Sequence, residues 1–157
     1  MSKITTFLWY DGQAEEAARF YVSLFPNSKI GSVSRYGEAG PGPAGSAMTV
    51  SFELDGLPVT ALNGGPNYRF SEAFSFSVAC DDQQEVDRLW QALTDGGEEG
   101  PCAWLKDRFG LSWQIVPRAL PELLGHPDRN RARRAMQAML QMKKIDIAKL
   151  RAAADAA

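Results

Sequence analysis

The sequence predicts an α+β fold in which two tandem βαβββ modules form facing curved mixed sheets around a shared pocket, followed by a helical C-terminal appendage. Two observations support this prediction. The predicted order of one strand, one helix and three strands occurs twice along the chain. In addition, "DGLPVTAL" (55–62) and "FGLSWQIV" (109–116) each place Gly-Leu before a five-residue strand. We therefore expect a single domain over residues 1–157, with module one at about 3–65, module two at about 73–117 and the appendage at 118–157.

Module one begins with a β-rich stretch at residues 4–12 that stops at Asp11-Gly12. Apolar side chains three and four positions apart predict an amphipathic helix, which Pro26 ends. A loosely alternating strand follows at 28–37, and the glycine- and proline-rich residues 37–45 predict a flexible connection. Residues 46–56 alternate strictly and lead through Asp55-Gly56, a strong hairpin signal, into a returning strand at 57–65.

Module two repeats this order in a shorter form. Residues 73–80 alternate aromatic or aliphatic side chains with serines and predict a strand, and residues 83–97 predict a helix that ends at two glycines. A short strand is expected near 98–101, before the strands at 102–107 and 111–117. The turn between these last strands contains Lys106, Asp107 and Arg108, which we expect to form a solvated corner.

The sequence of the appendage predicts a short helix before Gly125, a second helix at 129–142 and a third from Ile147. The second helix carries an apolar stripe, which we expect to pack across a homodimer interface: Ala132, Ala135, Met136, Met139 and Leu140. Charge is also uneven, since residues 1–128 have a net charge of −8 and residues 129–157 have a net charge of +6. We expect the basic tail to lie on the acidic body or on a partner subunit, in preference to nucleic acid.

Composition excludes several classes of protein. The chain has 45% hydrophobic and 23% charged residues, and no apolar run approaches the roughly 20 residues of a membrane helix. The N-terminal residues lack the apolar region and cleavage site of a signal peptide. Two cysteines, Cys80 and Cys102, are too few for a disulfide framework and lack metal-ligand spacing. These features predict a cytoplasmic protein without a membrane partner.

Four segments carry a family resemblance: "FLWYDGQAEEAARFYVSLFPNSKI" (7–30), "LNGGPNYRFSEAFSFSV" (62–78), "CAWLKDRFGLSWQIVP" (102–117) and "AMLQMKKIDIAKL" (138–150). Together they resemble the vicinal oxygen chelate superfamily of glyoxalases, extradiol dioxygenases and bleomycin-resistance proteins. Within it they are most similar to the branch called PhnB-like, or 3-demethylubiquinone-9 3-methyltransferase-like. The resemblance implies two βαβββ modules and a small-molecule site.

Metal-dependent members of that superfamily hold a divalent ion with His and Glu side chains from the first and last strands of each module. One of these ligands is a carboxylate four residues after the glycine of the final hairpin. The matching positions here are Thr60 and Gln114, which are not anionic, and the sole histidine, His126, lies beyond both modules. The resemblance therefore implies that the usual metal site is absent, and we predict no metal.

No cofactor is predicted either. A typical S-adenosylmethionine site uses a glycine-rich loop between a strand and a helix, whereas "NGGP" (63–66) is followed by "NYRF" and another strand. The methyltransferase in the family name is therefore not supported by a cofactor motif.

The predicted ligand pocket is aromatic and neutral-polar, with Trp9, Thr60, Asn63 and Gln114 as its candidate residues. Adjacent strand residues face opposite ways, so Gln114 and Trp113 cannot both line it. The superfamily pattern favours Gln114 and places Trp113 beneath the helix of its own module. Trp9 also suits core packing, and Asn63, before two glycines, also suits a turn.

Three functions stay open at this point. The first is a metal-independent binding protein for a small aromatic or hydrophobic molecule, and we favour it. The second is a metal-independent enzyme of unassigned reaction, in which Gln114 and Asn63 orient a substrate. The third is a nucleic-acid or protein partner that acts through the basic tail.

Overall fold

The computed structural model describes residues 3–156 and confirms the predicted α+β class. Within that range, two four-stranded mixed sheets each follow the βαβββ order, and three helices come after them. The chain divides into two compact units between Phe70 and Ser71, so each unit contains one module and the appendage belongs to the second. The pocket that the two modules are expected to share stays a prediction.

The first module consists of β1 (Thr6–Tyr10), α1 (Ala14–Leu24), β2 (Lys29–Arg35), β3 (Ala47–Leu54) and β4 (Leu57–Asn63). The strand order in the sheet is β1-β4-β3-β2, with β1 and β4 parallel and the other pairs antiparallel. The Asp55-Gly56 turn joins β3 to β4 as the sequence predicts, and both of its residues have positive φ.

One face of this sheet packs against α1. The side chains of this face are at most 3% exposed and come from β1, β3 and β4: Leu8, Tyr10, Val50, Phe52, Val59 and Ala61. Small alanines on α1 let the helix approach closely, and its Tyr21 contacts the Phe52 ring and hydrogen-bonds the Tyr10 hydroxyl at 3.0 Å. The alternation of β1, β3 and β4 therefore leaves every second side chain on the other face.

The glycine- and proline-rich residues 37–45 form an ordered turn around Tyr36. The backbone of Tyr36 bonds Gly45 and Ser46, and the faces of its ring lie against Gly40 and Gly42, where any side chain would overlap the ring. Its hydroxyl donates to the Asn63 carbonyl oxygen. The glycines of this connection make room for a buried tyrosine, and its flexibility stays a prediction.

The second module consists of β5 (Ser75–Cys80), α2 (Gln83–Thr94), β6 (Glu98–Glu99), β7 (Trp104–Lys106) and β8 (Ser112–Pro117). Its strand order, β5-β8-β7-β6, matches the first sheet, with β5 and β8 parallel. Asp82 caps α2 by accepting from the Glu85 amide at 2.9 Å. The expected short strand near 98–101 is present as the two residues of β6.

The turn between β7 and β8 is not a solvated corner. Asp107 is 2% exposed, and its carboxylate accepts from the amides of Phe109 and Leu111 and from Trp113 Nε1, at 2.9, 3.1 and 2.9 Å. The prediction for Asp107 is wrong because three N–H donors replace the water that a buried carboxylate loses. Arg108 is exposed, as expected.

The appendage consists of α3 (Ala119–Leu124), α4 (Arg129–Met139) and α5 (Ile147–Asp155). It encloses a core of its own against the second module, formed by Ala103, Leu120, Ile145 and Leu150. Met139 packs against this core, and Ala132 and Ala135 are buried. The expectation that the whole α4 stripe serves a dimer interface is therefore wrong, since α3 and α5 supply its apolar partners. Met136 and Leu140 stay 40% and 56% exposed.

The backbone of the appendage also holds a strained segment of the second module. Cys102 and Ala103 have φ values of 56° and 80°, a left-handed conformation that costs a non-glycine residue about 1–2 kcal/mol. Their amides donate to the carbonyl oxygens of Met142 and Lys143 at 2.8 and 2.9 Å. These bonds offset the strain and place the appendage beside the start of β7.

The basic tail lies on the acidic body, in agreement with one of the two sequence-based expectations. Lys144 of the tail pairs with Asp87 of α2 at 2.8 Å. The hydrogen bond from Lys144 is the main cause that lowers the pKa of Asp87. Among the described residues, no helix is both long and apolar enough to cross a membrane.

Candidate functional site

The face of the first sheet that α1 does not cover is partly accessible and mixed in character. We call it the first open face, and its side chains are Phe7, Trp9, Thr49, Ser51, Thr60 and Leu62. Phe7 is 60% exposed, while the buried residues of the opposite face are at most 3% exposed. The first open face thus combines two aromatic rings with three hydroxyl groups.

Trp9 is fixed within its own module. Its Nε1 donates to the Gly65 carbonyl oxygen at 2.9 Å, its ring lies against Gly64, and the Tyr68 ring meets it edge-on at 4.9 Å. A side chain at position 64 would overlap the indole, which explains the first glycine of the "NGG" segment. The indole is therefore held on the open face in one orientation, half-buried, by contacts that do not involve a ligand.

Thr60 lies in the middle of the first open face. It pairs with Phe7 on β1 and with Ser51 on β3. The Ser51 hydroxyl is engaged by Ser32 on β2. In contrast, the Thr60 hydroxyl has no hydrogen-bond partner among residues 3–156, so it can donate to or accept from a bound molecule.

Asn63 does not join Trp9 and Thr60. Its register partner is Tyr10, on the face that packs against α1. Its Oδ1 accepts from the first amide of α1, that of Ala14, at 2.8 Å, and its Nδ2 donates to the Ala47 carbonyl oxygen at 3.1 Å. Asn63 borders a cavity of about 480 Å³ beneath the 37–45 turn. The Asn63 side-chain amide nevertheless joins the start of α1 to β3. This contact favours a structural role for Asn63 over ligand binding.

Gln114 lies on the corresponding face of the second sheet. We call this the second open face, and its side chains are Ser75, Ser77, Trp104, Lys106, Ser112, Gln114 and Val116. Trp113 has the opposite orientation, is fully buried beside Leu105 and Ile115, and lies on the α2 side as predicted. Gln114 Nε2 donates to Ser75 Oγ at 3.1 Å. Its Oε1 has no partner in the described part of the chain and is available as an acceptor.

Metal-ligating and nucleophilic groups are sparse in both units. Over residues 3–156, no group of three or more His, Cys, Asp or Glu side chains could hold a metal ion. Cys80 is buried, and this burial raises the pKa of its thiol to about 12. Cys102 Sγ lies 3.6 Å from the Met139 carbonyl oxygen, in the contact with the appendage. Burial keeps the Cys80 thiol protonated at neutral pH, whereas a reactive cysteine requires a thiolate.

The sequence analysis missed one feature of the second open face. A cavity of about 590 Å³ is bordered by Trp104, Lys106 and Ser112, together with glutamates of β6. In the strand register, Trp104 pairs with Gln114 and Lys106 pairs with Ser112. These four side chains therefore lie on the same face of the sheet. We had assigned Lys106 to a solvated corner, although the alternation of β7 places it on the same face as Trp104.

One family model and several solved structures are similar to this chain. A family model described as 3-demethylubiquinone-9 3-methyltransferase matches residues 2–116, so segment 138–150, which also suggested the family, lies outside it. A PhnB protein from Bacillus cereus is 38% identical with a TM-score of 0.67, and the match covers 74% of this chain and 99% of that chain. No curated protein matches the chain.

More distant structures share the fold alone. Protein PA1353 from Pseudomonas aeruginosa is 23% identical with a TM-score of 0.60, and the match covers 74% of this chain and 98% of that one. The fosfomycin resistance protein FosX from Listeria monocytogenes is 16% identical with a TM-score of 0.52, over 77% and 94% of the two chains. On the family match and the Bacillus cereus relative, this chain belongs to the 3-demethylubiquinone-9 3-methyltransferase family of the vicinal oxygen chelate superfamily.

Proposed function

We propose that the protein binds a small organic molecule with an aromatic or hydrophobic body, and that it does so without a metal ion. The observation that carries the proposal is the first open face, where the free hydroxyl of Thr60 lies beside the rings of Phe7 and Trp9. Apolar walls with a few placed polar groups are typical of small-molecule sites. Gln114 supplies a similar neutral group on the second open face.

The metal of the superfamily does not fit these residues. Divalent ions such as Zn²⁺ need imidazole, thiolate or carboxylate ligands that converge on one point. Thr60 and Gln114 occupy the positions of the superfamily carboxylates, and neither carries a charge. Residues 3–156 also lack a group of three candidate ligands. We therefore derive no chemistry through a metal.

S-adenosylmethionine, which the family description implies, does not fit either. Gly64 and Gly65 follow β4, but the next residues form turns and lead into β5, so this loop does not itself open a helix. The nearby N-terminus of α1 has its Ala14 amide bound to Asn63 Oδ1. Gly64 is occupied by the Trp9 ring, which closes the backbone to a ligand there. We favour binding over methyl transfer for this reason.

The basic tail does not favour a nucleic-acid partner. Arg131 pairs with Asp155 within the tail, and Lys144 pairs with Asp87 of α2. Arg134 donates to the Ala154 carbonyl oxygen at the end of α5. These contacts use the tail within its own unit, as the charge difference between body and tail predicts.

A denaturation screen tests the proposed function. Neutral aromatic compounds, quinones, S-adenosylmethionine and divalent metals are added separately, and unfolding is followed by tryptophan fluorescence. A compound at 100 times its dissociation constant raises the free energy of unfolding by about 2.7 kcal/mol. We expect stabilisation by a neutral aromatic compound or a quinone, and a shift of the Trp9 indole N–H resonance on binding.

A matched pair of variants assigns the site. Thr60→Val removes the free hydroxyl but keeps the side-chain shape, and it should weaken binding of a compound that carries a carbonyl or hydroxyl group. Thr5→Val changes an exposed threonine before β1 and should leave binding unchanged. Stabilisation by a divalent metal alone, with none of the organic compounds bound, would rule out the proposed function.

A further inference from the structure

The cavity of about 590 Å³ on the second module has an uneven charge. Its lining contains three carboxylates and one ammonium group, which leaves a formal charge of −2: Glu72, Glu98, Glu99 and Lys106. All of these residues belong to the second unit. The volume lies within the range of ordinary ligand sites.

The single lysine does not neutralise all three glutamates, because its ammonium group is paired directly with one of them. Lys106 Nζ forms an ion pair with Glu72, and this contact is the main cause that raises the pKa of Lys106 and lowers the pKa of Glu72. Glu99 accepts a hydrogen bond from Trp90 Nε1 at 2.7 Å. The Glu98 carboxylate has no hydrogen bond or ion pair within residues 3–156. Lys106 also attracts Glu98 electrostatically, but Glu98 is the carboxylate of this cavity without a direct partner among the described residues.

The other walls of the cavity are apolar or aromatic. Trp104 is half-buried at the start of β7, and Pro101 and Leu105 also line the cavity. An indole face attracts a nearby cation through its quadrupole, and it also packs against an aliphatic or aromatic body. The cavity thus offers a cation both a carboxylate and an aromatic wall.

Ser112 provides an independent sign that a polar ligand group belongs here. It is 1% exposed, lines the cavity, and its Oγ has no hydrogen-bond partner in the described part of the chain. Buried hydroxyls are normally paired, because an unpaired one has lost its water without compensation. Ser112 is the cross-strand partner of Lys106, whose side chain lies on the same face of the sheet. A ligand that shifts this side chain gains access to the hydroxyl.

We propose that this cavity binds a small organic cation, namely a protonated amine on an aromatic or aliphatic body. The amine lies between Glu98 and the Trp104 ring and donates a hydrogen bond to Ser112 Oγ. This inference rests on the proposed small-molecule binding and adds the ligand class of the second open face. It assigns no reaction to the site.

Three compounds of matched shape test the ligand class: 3-phenylpropylamine, 3-phenylpropanol and 3-phenylpropanoate. Binding is measured by NMR on the full chain, with the indole N–H resonances of Trp104 and Trp9 as separate reporters of the two open faces. We expect the amine to shift Trp104 and to bind about fivefold more tightly than the alcohol, since one partly exposed ion pair contributes this much. The carboxylate should not bind, and added salt should weaken the amine.

Substitutions test the contributions of the Glu98 charge and the Ser112 hydroxyl separately. Glu98→Gln should remove the preference for the amine over the alcohol, whereas Glu16→Gln, an exposed glutamate on α1, should preserve it. Ser112→Ala should weaken the amine without lowering the free energy of unfolding, because the hydroxyl it removes is unpaired.

Three outcomes would overturn the inference: equal binding of amine and alcohol, preferred binding of the carboxylate, or no shift of Trp104 with any of the three compounds. Each of them leaves the proposed function to be judged separately, from the response of Trp9 to neutral compounds. If neither the Trp104 nor the Trp9 resonance shifts with any compound, both the cation site and the proposed small-molecule binding are wrong.

Discussion

Trp113 Nε1 donates to Asp107 Oδ2 at 2.9 Å, and both side chains are almost completely buried. The other oxygen of Asp107 holds the amides of the turn that joins β7 to β8. The carboxylate therefore connects the turn to the largest fully buried side chain of the second sheet. This contact fixes the face on which Trp113 lies, and the alternation of β8 then fixes the face of Gln114.

Asp107→Ala should strongly destabilise the second unit. It leaves the buried N–H groups of Trp113 and Leu111 without acceptors, each at a cost of about 1–3 kcal/mol. We expect a loss of about 3 kcal/mol or more in urea denaturation followed by fluorescence. Asp95→Ala, at an exposed aspartate after α2, is the control and should change stability by less than about 0.5 kcal/mol. Equal effects of the two substitutions would contradict the role of Asp107.

The second module should require the appendage to fold. Ile145→Ala opens a cavity in the appendage core and should cost about 3 kcal/mol, whereas Ile4→Ala, at an 84% exposed position, should cost far less. A chain that ends at Pro117 should retain the first unit but expose the second to limited proteolysis. A stable second module in that shortened chain would show that the strain at Cys102 and Ala103 is tolerated without the appendage.

Stability should fall above pH 9 through Cys80. Burial raises the pKa of this thiol from its ordinary value of 9.0 to about 12, so the folded chain keeps a proton that the unfolded chain releases. The stabilising contribution is therefore complete below pH 9 and is lost as pH rises towards 12. Between these two pH values, the free energy of unfolding falls by about 1.4 kcal/mol per pH unit.

The difference between variants isolates this slope from other titrations. Cys80→Ala should lose less stability between pH 9 and 11 than the parent chain, while Cys102→Ala should follow the parent. The measurement is urea denaturation at each pH under reducing conditions. Parallel curves for the parent and Cys80→Ala would mean that the Cys80 thiolate reaches solvent in the folded chain.

Gln114→Ala should weaken the binding of a compound found in the screen without unfolding the protein. One neutral hydrogen bond contributes about 0.5–1.5 kcal/mol, and the half-buried position tolerates a smaller side chain. Titration calorimetry checks the affinity, and a melting curve checks the fold. Gln91→Ala, at an exposed position on α2, is the matched control. An unchanged affinity for every bound compound would remove Gln114 from the site.

The predicted homodimer now depends on two exposed residues of α4. Met136→Ser combined with Leu140→Ser should convert a dimer to a monomer in sedimentation and leave the melting temperature of the monomer unchanged. Leu57→Ser, at a 44% exposed position on β4, should preserve the dimer. A parent chain that sediments as a monomer would end the homodimer prediction directly.

The order and type of the elements could be predicted from the sequence because they depend on local signals. These signals are the spacing of apolar residues and the turn residues that end each element. Asp55-Gly56, the alternation of β3 and the α2 stripe of Leu89 and Leu93 each specify their own structure. Even the two-residue β6 followed from the comparison of the two repeats. Family resemblance then supplied the pairing of the strands, which no local pattern contains.

The errors concern side chains whose environment is set by distant residues. Asp107 resembles an exposed turn residue until Trp113 covers it, and Met139 resembles an interface residue until Ile145 and Leu150 meet it. Asn63 illustrates the same difficulty at the candidate site. Its amide is fully engaged by Ala14 and Ala47, which lie far from it in sequence. Only the register of β4 separates it from Thr60.

The carbonyl oxygens of Met142 and Lys143 have a consequence for biosynthesis. The ribosome adds them about 40 residues after Cys102 and Ala103, and domains generally fold in the order in which they emerge. The first unit can complete its sheet while the rest of the chain is being made. The second unit has to wait for the appendage, so its strands β5 to β8 stay unprotected for longer. A pause or premature stop in that interval should yield a nascent chain whose second half is selectively captured by chaperones or degraded.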